Sequence, residues 1–370
     1  MPPKKIIPHF SLRTRPRIIS ASPNPFSFPS HRYSQSTPSP KPKPIDIPSL
    51  QARPPKLIRD HLVPMPSHLL TTTLDDLLHT SSQSSPSSTK HLPQGHHLVY
   101  FPLQTPASKL ALDGADKDHA PNEDFTRRLW AGGEVRFHNS TGNTGSDLVL
   151  DGRPWICKEE IGDVRVKGEP SDEKVFVDVW RRYALGHDES PEKWDIEERR
   201  TLVFMRATET EDEPGNIPKG RLVKYAHTPT HSATLTPTPA HLFHFSALTY
   251  NAHAIHLDPQ YAKSQDGHRA LLVHGPLSLA LMLRVLNDHV DPSSKSRGGM
   301  VKSIVYRNYA PLYVGEEMKV CVKPAKRGAV RNGEEEEEEE EEWDVWVEGP
   351  EGGLAVKGSV VIDAKRAESS

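Results

Sequence analysis

The order of sequence patterns repeats along this chain, and that repetition constrains the fold more than any other feature of its 370 residues. In the first stretch, residues 155–166, 174–183 and 199–207 alternate apolar and polar side chains and are rich in β formers, which predicts strands with one buried face. His97-Leu98-Val99-Tyr100-Phe101 reads as a further short strand. Residues 126–137 read as a helix end, a turn at Gly132-Gly133 and then an alternating strand, and 57–78 has spacing suited to short helices, with Thr73 capping the one that begins at Leu74. The second stretch has helical spacing around 256–263 and at about 276–290. Alternating runs follow at 301–307, 318–323, 343–348 and 354–362. Helix then antiparallel strands, twice over, predicts an α+β chain with an internal pseudo-duplication.

Composition sets the boundaries. Hydrophobic residues make up only 35% of the chain and there are 35 prolines, so a folded part is diluted by tails and loops. Residues 1–55 read as a presequence and Pro-rich linker. The first acid is Asp46, after Lys4, Lys5, Arg13, Arg15, Arg17 and Arg32 spread among Ser and Pro, which is the bias of a mitochondrial matrix presequence. Residues 56–213 form the first half, 214–240 a Pro/Thr-rich linker and 241–365 the second half. The Ser-rich stretch 81–88 reads as a loop, and the acidic run 334–342 as a solvated hairpin loop held open by self-repulsion. A net charge of −3 gives no basic field for nucleic acid. Cys157 and Cys321 have no CxxC neighbour, which supports neither a disulfide framework nor a Cys zinc site. No apolar run reaches bilayer-spanning length, so no membrane insertion is expected.

Chemistry concentrates after Phe243. Asn251, His253, His256 and Asp258 fall within eight residues, flanked by apolar sequence. Histidine moves protons near neutral pH, and the neighbouring asparagine can hold a water or hydroxyl. Downstream, Val273-His274-Gly275-Pro276-Leu277 ends an apolar run and opens a helix, presenting backbone N–H groups to a substrate oxygen. The combination suits proton abstraction beside a carbonyl, hence dehydration of a β-hydroxyacyl compound or its reverse. Each residue also has a purely structural reading: a capping histidine, a turn asparagine, a glycine needed only for the turn. His253 and His256 lack a third ligand, so neither a metal nor another cofactor is expected.

Residues 246–258 resemble the hydratase signature of the MaoC-like hotdog proteins, most closely the branch of mitochondrial hydroxyacyl-thioester dehydratase type 2 and the bacterial mesaconyl-C4-CoA hydratases. Residues 128–133, 272–277 and 310–316 also match that branch. The resemblance implies a double hotdog, two halves each made of a long helix wrapped by an antiparallel sheet. It also implies an acyl carrier protein or CoA thioester as substrate, with a homodimer open to the chain. By position, His256 matches the family's catalytic histidine and Gly275 the glycine whose N–H polarises the thioester carbonyl. Tyr250, His253 and His274 are placed with the substrate-binding groups. The wider signature has an Asp where this chain has Asn251, and an amide is neither an acid nor a base. The leading expectation is a 3-hydroxyacyl-thioester dehydratase of mitochondrial fatty acid synthesis. A hydratase of a branched or dicarboxylic enoyl-CoA, a hotdog thioesterase and a non-catalytic acyl-binding protein stay open.

Overall fold

Ten strands pair antiparallel throughout into one sheet, in the order β1-β3-β4-β5-β2-β7-β10-β9-β8-β6. The computed structural model describes residues 43–80, 90–138, 148–169, 172–188, 191, 193–206, 223–290, 301–325 and 340–363. The Ser-rich stretch, most of the acidic run and the predicted presequence as far as residue 42 lie outside the described residues. The first five strands are β1 (Lys56–His61), β2 (Arg127–Phe137), β3 (Pro154–Lys167), β4 (Lys174–Leu185) and β5 (Ile196–Met205). The other five are β6 (His231–Leu235), β7 (Val301–Asn308), β8 (Met318–Pro324), β9 (Glu340–Glu348) and β10 (Leu354–Asp363). Read from each outer edge towards the middle, both halves have the same order, first-third-fourth-fifth-second, which is the duplicated antiparallel layout expected from the sequence pattern. The two sheets are nonetheless continuous, because β2 pairs with β7 from Gly132 opposite Arg307 to Arg136 opposite Ser303.

That seam explains the Gly132-Gly133 pair. These residues sit inside β2, not in a turn, and the register shifts between Trp130 and Gly132. Gly132 has φ +149°, and a Cβ there would lie 2.4 Å from the Tyr306 carbonyl oxygen; at Gly133 it would lie 2.2 Å from that of Arg199. Glycine is needed for the close approach of three backbones at a bulge. Gly132→Ala is therefore expected to destabilise the fold by about 3 kcal/mol, from overpacking plus an unfavourable φ. A denaturant midpoint unchanged from wild type would refute this.

The helices depart from the duplication. Helix α5 (Gly275–Val290) carries Leu277, Leu279, Leu281, Met282, Leu283 and Leu286 fully buried. A helix apolar around its circumference must be enclosed. The sheet of the second half covers one side, and Gly358 lets Met282 reach it, with Met282 Cε 3.0 Å from where a Cβ would stand. The turn at residues 95–99 covers α5 from the first half, with Leu283 Cδ1 3.2 Å from a Cβ built on Gly95. Among the described residues the first half has no counterpart to α5. His96–Val99, read from sequence as part of a strand, is instead a short 3-10 turn with all four residues buried. A five-residue apolar run cannot be told from a buried turn by periodicity.

Four further segments differ from their sequence reading. Residues 56–61 are the edge strand β1, and a single helix α2 (Pro64–Leu77) follows, started by Pro64. Thr73 lies inside that helix, its hydroxyl donating to the Leu69 carbonyl at 3.0 Å. Structure also begins before residue 56. Helix α1 (Ile47–Gln51) is capped by Asp46 and buries Leu50, while the Arg53 guanidinium donates to the carbonyls of Asp118 and Ala120. The segment taken as linker contains β6 and the start of α3 (Pro239–Thr249), where Thr238 and His241 form a capping box. The last of the acidic run, from Glu340, enters β9.

Candidate active site

Helix α3 ends at Tyr250, whose φ of 52° and ψ of 36° turn the chain sharply. The Asn251 N–H closes that turn by donating to the Ser246 carbonyl at 2.8 Å. The chain then runs through a 3-10 turn at Ala254–His256 into the short helix α4 (Pro259–Ser264), which Asp258 caps by accepting from the Gln260 and Tyr261 N–H groups. This path brings His253 and His256 against the start of α5. Their rings meet edge to face with centroids 5.7 Å apart, while His256 stacks on His274 at 3.7 Å.

His256 is buried, and its Nδ1 donates to the Leu272 carbonyl at 2.8 Å. That bond fixes the tautomer and leaves Nε2 as a bare acceptor. Burial, reinforced by the adjacent His274 and His253, holds its pKa well below that of free imidazole, so the ring is a neutral base. His274 is pushed down to about 3, first by burial and then by His253; its Nε2 is hydrogen-bonded to Ser246 Oγ at 2.9 Å. This neutral ring braces His256 by stacking. The Asn251 Oδ1 accepts the His253 backbone N–H at 3.1 Å, which leaves the NH2 group as the donor end of the amide on a cavity-lining residue.

These groups line a cavity of about 560 Å3 that draws walls from both halves of the chain. Asn251, His253, His256, His274 and Gly275 all lie on it. Tyr250, grouped from sequence with the substrate-binding residues, does not: its side chain is exposed at the end of α3 and is absent from the cavity wall. Gly275 opens α5 with an N–H that has no acceptor among the described residues. A Cβ there would lie 3.0 Å from Trp130 Cβ, so the glycine lets the helix start press against the first half. A helix N-terminus with a spare N–H beside a neutral imidazole can stabilise an oxyanion next to a base.

The first half supplies residues that the sequence did not single out. Asp113 Oδ2 lies 3.2 Å from His253 Nε2, and the Asp113 carbonyl accepts the Ala254 N–H at 2.7 Å. Gly114, at φ +77°, packs so closely that a Cβ would stand 2.1 Å from the Ala252 oxygen. The Asp113-Gly114 dipeptide was the available signal, a turn with φ > 0, though nothing in it foretold a partner 140 residues downstream. Strands β2, β3, β4 and β5 bring charge to the cavity wall through Arg128, Glu159, Arg181 and Arg200. Arg181 meets Glu159 at 3.2 Å, Arg200 meets Glu198 at 2.7 Å, and Arg128 meets Asp116 at 2.8 Å. Burial acts to raise the Asp116 and Glu198 carboxyls, but the neighbouring arginines and histidines bring both down to about 2. The arginine-carboxylate pairs therefore stay ionised.

Residues 95–314, more than half of the chain, match the profile of hydroxyacyl-thioester dehydratase type 2. The chain belongs to that family. The type 2 dehydratase match takes in the loop from Asn251 to Asp258, α5 and most of the first half, so it spans both walls of the cavity. The chain is 28% identical over 280 residues to the mitochondrial hydroxyacyl-thioester dehydratase type 2 of Schizosaccharomyces pombe, covering 72% of this chain and 89% of that one. It is 29% identical over 282 residues to the mesaconyl-C(4)-CoA hydratase of Chloroflexus aurantiacus, covering 75% and 85%. A solved MaoC-like dehydratase from Phytophthora capsici shares the fold, with a TM-score of 0.56 and 14% identity over 86% of this chain and 99% of that one. The resemblance read from the sequence motifs, and the double-hotdog class it implied, are thereby borne out. One detail differs: among the described residues the sheet of the second half wraps the long helix α5, while α2 of the first half packs on α3 and the turn at residues 96–99.

Proposed function

We propose that this chain is a hydro-lyase that dehydrates 3-hydroxyacyl thioesters reversibly, in the mitochondrial matrix as part of fatty acid synthesis. The observation that carries the reading is His256: buried and neutral, with Nδ1 tied to Leu272 and Nε2 bare on a cavity wall beside the Gly275 N–H. In dehydration Nε2 takes the C2 proton. The thioester oxygen, gaining negative charge, faces the Gly275 N–H at the positive end of α5. Asn251 donates its NH2 group to the C3 hydroxyl and holds it in place. Neither step needs a metal or nucleotide. The cavity suits a pantetheine-linked acyl group carried by acyl carrier protein or CoA: Lys174 and Arg307 are exposed cations on its wall, suited to the phosphates of such an arm. The mitochondrial assignment is supported by the basic, acid-free N-terminal sequence and by the names of the yeast relatives.

A second reading, hydration of a short dicarboxylic enoyl-CoA, is favoured by Arg181 and Arg200 on the inner wall, where a purely alkyl chain would meet ionised groups. Loss of enoyl absorbance on adding trans-2-enoyl-CoA tests the first reading, with mesaconyl-CoA as the competing substrate. Turnover is expected with the free thiol content unchanged. Release of CoA thiol would mark a thioesterase instead, and tight binding without turnover an acyl-binding protein.

A further inference from the structure

Resting on that reading, one task in the reaction has no agent so far. A β-hydroxyl leaves poorly as hydroxide, so an acid must protonate it, and the Asn251 amide has no proton to give at neutral pH. We propose that His253, paired with Asp113 from the other half of the chain, is that acid.

The arrangement around His253 is specific. Its ring is buried yet lies on the cavity wall, with Nε2 held 3.2 Å from Asp113 Oδ2 and Nδ1 without a protein partner. The Asp113 carboxyl is drawn upward by burial. Hydrogen bonds from His253 and the Ala115 N–H, together with the charges of His253 and Arg128, leave it net below its usual value, so it is ionised beside the ring. A carboxylate in that position balances the charge of an imidazolium, orients the ring and leaves the second nitrogen to act on the substrate. His256 is kept neutral 5.7 Å away, centroid to centroid. A 1,2-elimination requires this division of labour: a base at C2 and an acid at the oxygen on C3. The Asn251 Oδ1 accepts the His253 backbone N–H, so the group that holds the hydroxyl and the group that protonates it are fixed to one another.

The step balances as follows. His256 Nε2 takes the C2 proton, and the C–H electron pair becomes the C2–C3 double bond. The C3–O bond breaks with its pair on oxygen, which takes the Nδ1 proton of His253 and departs as water. His256 is left protonated and His253 neutral, and transfer of one proton between them, directly or through solvent, restores the starting state. Hydration runs these events backwards, with His253 as the base that deprotonates water.

The decisive comparison uses two leaving groups on one acyl thioester, a 3-hydroxyl and a 3-chloro group. Chloride leaves without protonation but still needs C2 deprotonation. His253→Gln is expected to lose about 10²- to 10⁴-fold in water elimination, the usual size of general acid catalysis, while keeping chloride elimination within a few-fold of wild type. Asp113→Asn should show the same selectivity with a smaller loss, and His256→Gln should lose both reactions. If His253→Gln slows both eliminations equally, the ring only braces the loop and the proposal falls. It falls also if water elimination is unaffected. Wild type that eliminates neither group would overturn the dehydratase reading itself, an outcome distinct from either of these.

Discussion

His256→Ala is expected to lower kcat for dehydration by about a thousandfold or more, with KM changed little. The size follows from removing the group that takes the C2 proton, since a positioned base is worth about 10²- to 10⁴-fold. The split between kcat and KM follows from the proposed mechanism, in which His256 meets the reacting carbon while the rest of the cavity holds the length of the substrate. The variant also leaves the Leu272 carbonyl without its 2.8 Å donor, which costs about 1–3 kcal/mol of stability, so it should fold but melt earlier. Steady-state kinetics with a melting curve on the same sample separate the two effects. A folded variant turning over at the wild-type rate would make His256 a structural residue and remove the basis of the mechanism.

Stability is expected to fall by several kcal/mol between pH 6.5 and 5, well before carboxylates begin to protonate. Five buried imidazoles drive this. Burial is the largest cause in every case, bringing His96 and His274 down to about 3 and His97 and His268 to about 4, with His256 also well below its ordinary value. In the unfolded chain each would titrate near pH 6.5, as free imidazole does. Above that pH neither state holds the proton and the folded state keeps its full stability. Below it the unfolded chain takes up protons that the folded chain refuses, and each group contributes a loss of up to about 1.4 kcal/mol per pH unit until its folded pKa is reached. The Asp116 and Glu198 carboxylates, held at about 2, add their own loss only below pH 4. Urea midpoints at pH 7.5, 6.5, 5.5 and 5 test the claim. A flat profile down to pH 5 would mean that these rings are solvated or paired in ways that the buried geometry does not show.

The sequence carried some of this and could not carry the rest, for identifiable reasons. Strands with one buried face announced themselves, because alternation survives wherever a sheet has a wet side: β3, β4, β7, β8 and β10 all fall close to where period-two spacing put them. Local chemistry was equally legible, and Asn251, His253, His256, His274 and Gly275 do converge on one cavity. What stayed hidden depends on contacts between distant segments. The glycine pair in β2 reads as a turn unless Tyr306 and Arg199 are known to pass within van der Waals distance. The 3-10 turn at His96–Val99 reads as a strand until α5 is packed against it. Asp113 looks like any turn residue, since its importance comes from His253, which the sheet seam brings alongside. Tyr250 was misjudged for the opposite reason: it adjoins Asn251 in sequence, but the left-handed turn at the end of α3 sends it outward.

Among the described residues the first half has no central helix, and this has a consequence for how such a chain can change. On the proposed mechanism the two halves are no longer equivalent copies: the second carries both imidazoles and the start of α5, while the first supplies Asp113 and the charged strands of the cavity wall. Substitutions along the inward faces of β3, β4 and β5 alter what the cavity accepts, at a distance from the imidazoles and the start of α5. On that mechanism substrate range rests on these strands, while the elimination rests on the loops that hold Asp113, His253 and His256. A lineage with this architecture can trade one acyl group for another by editing those three strands, and need not rebuild the loops that carry Asp113, His253 and His256.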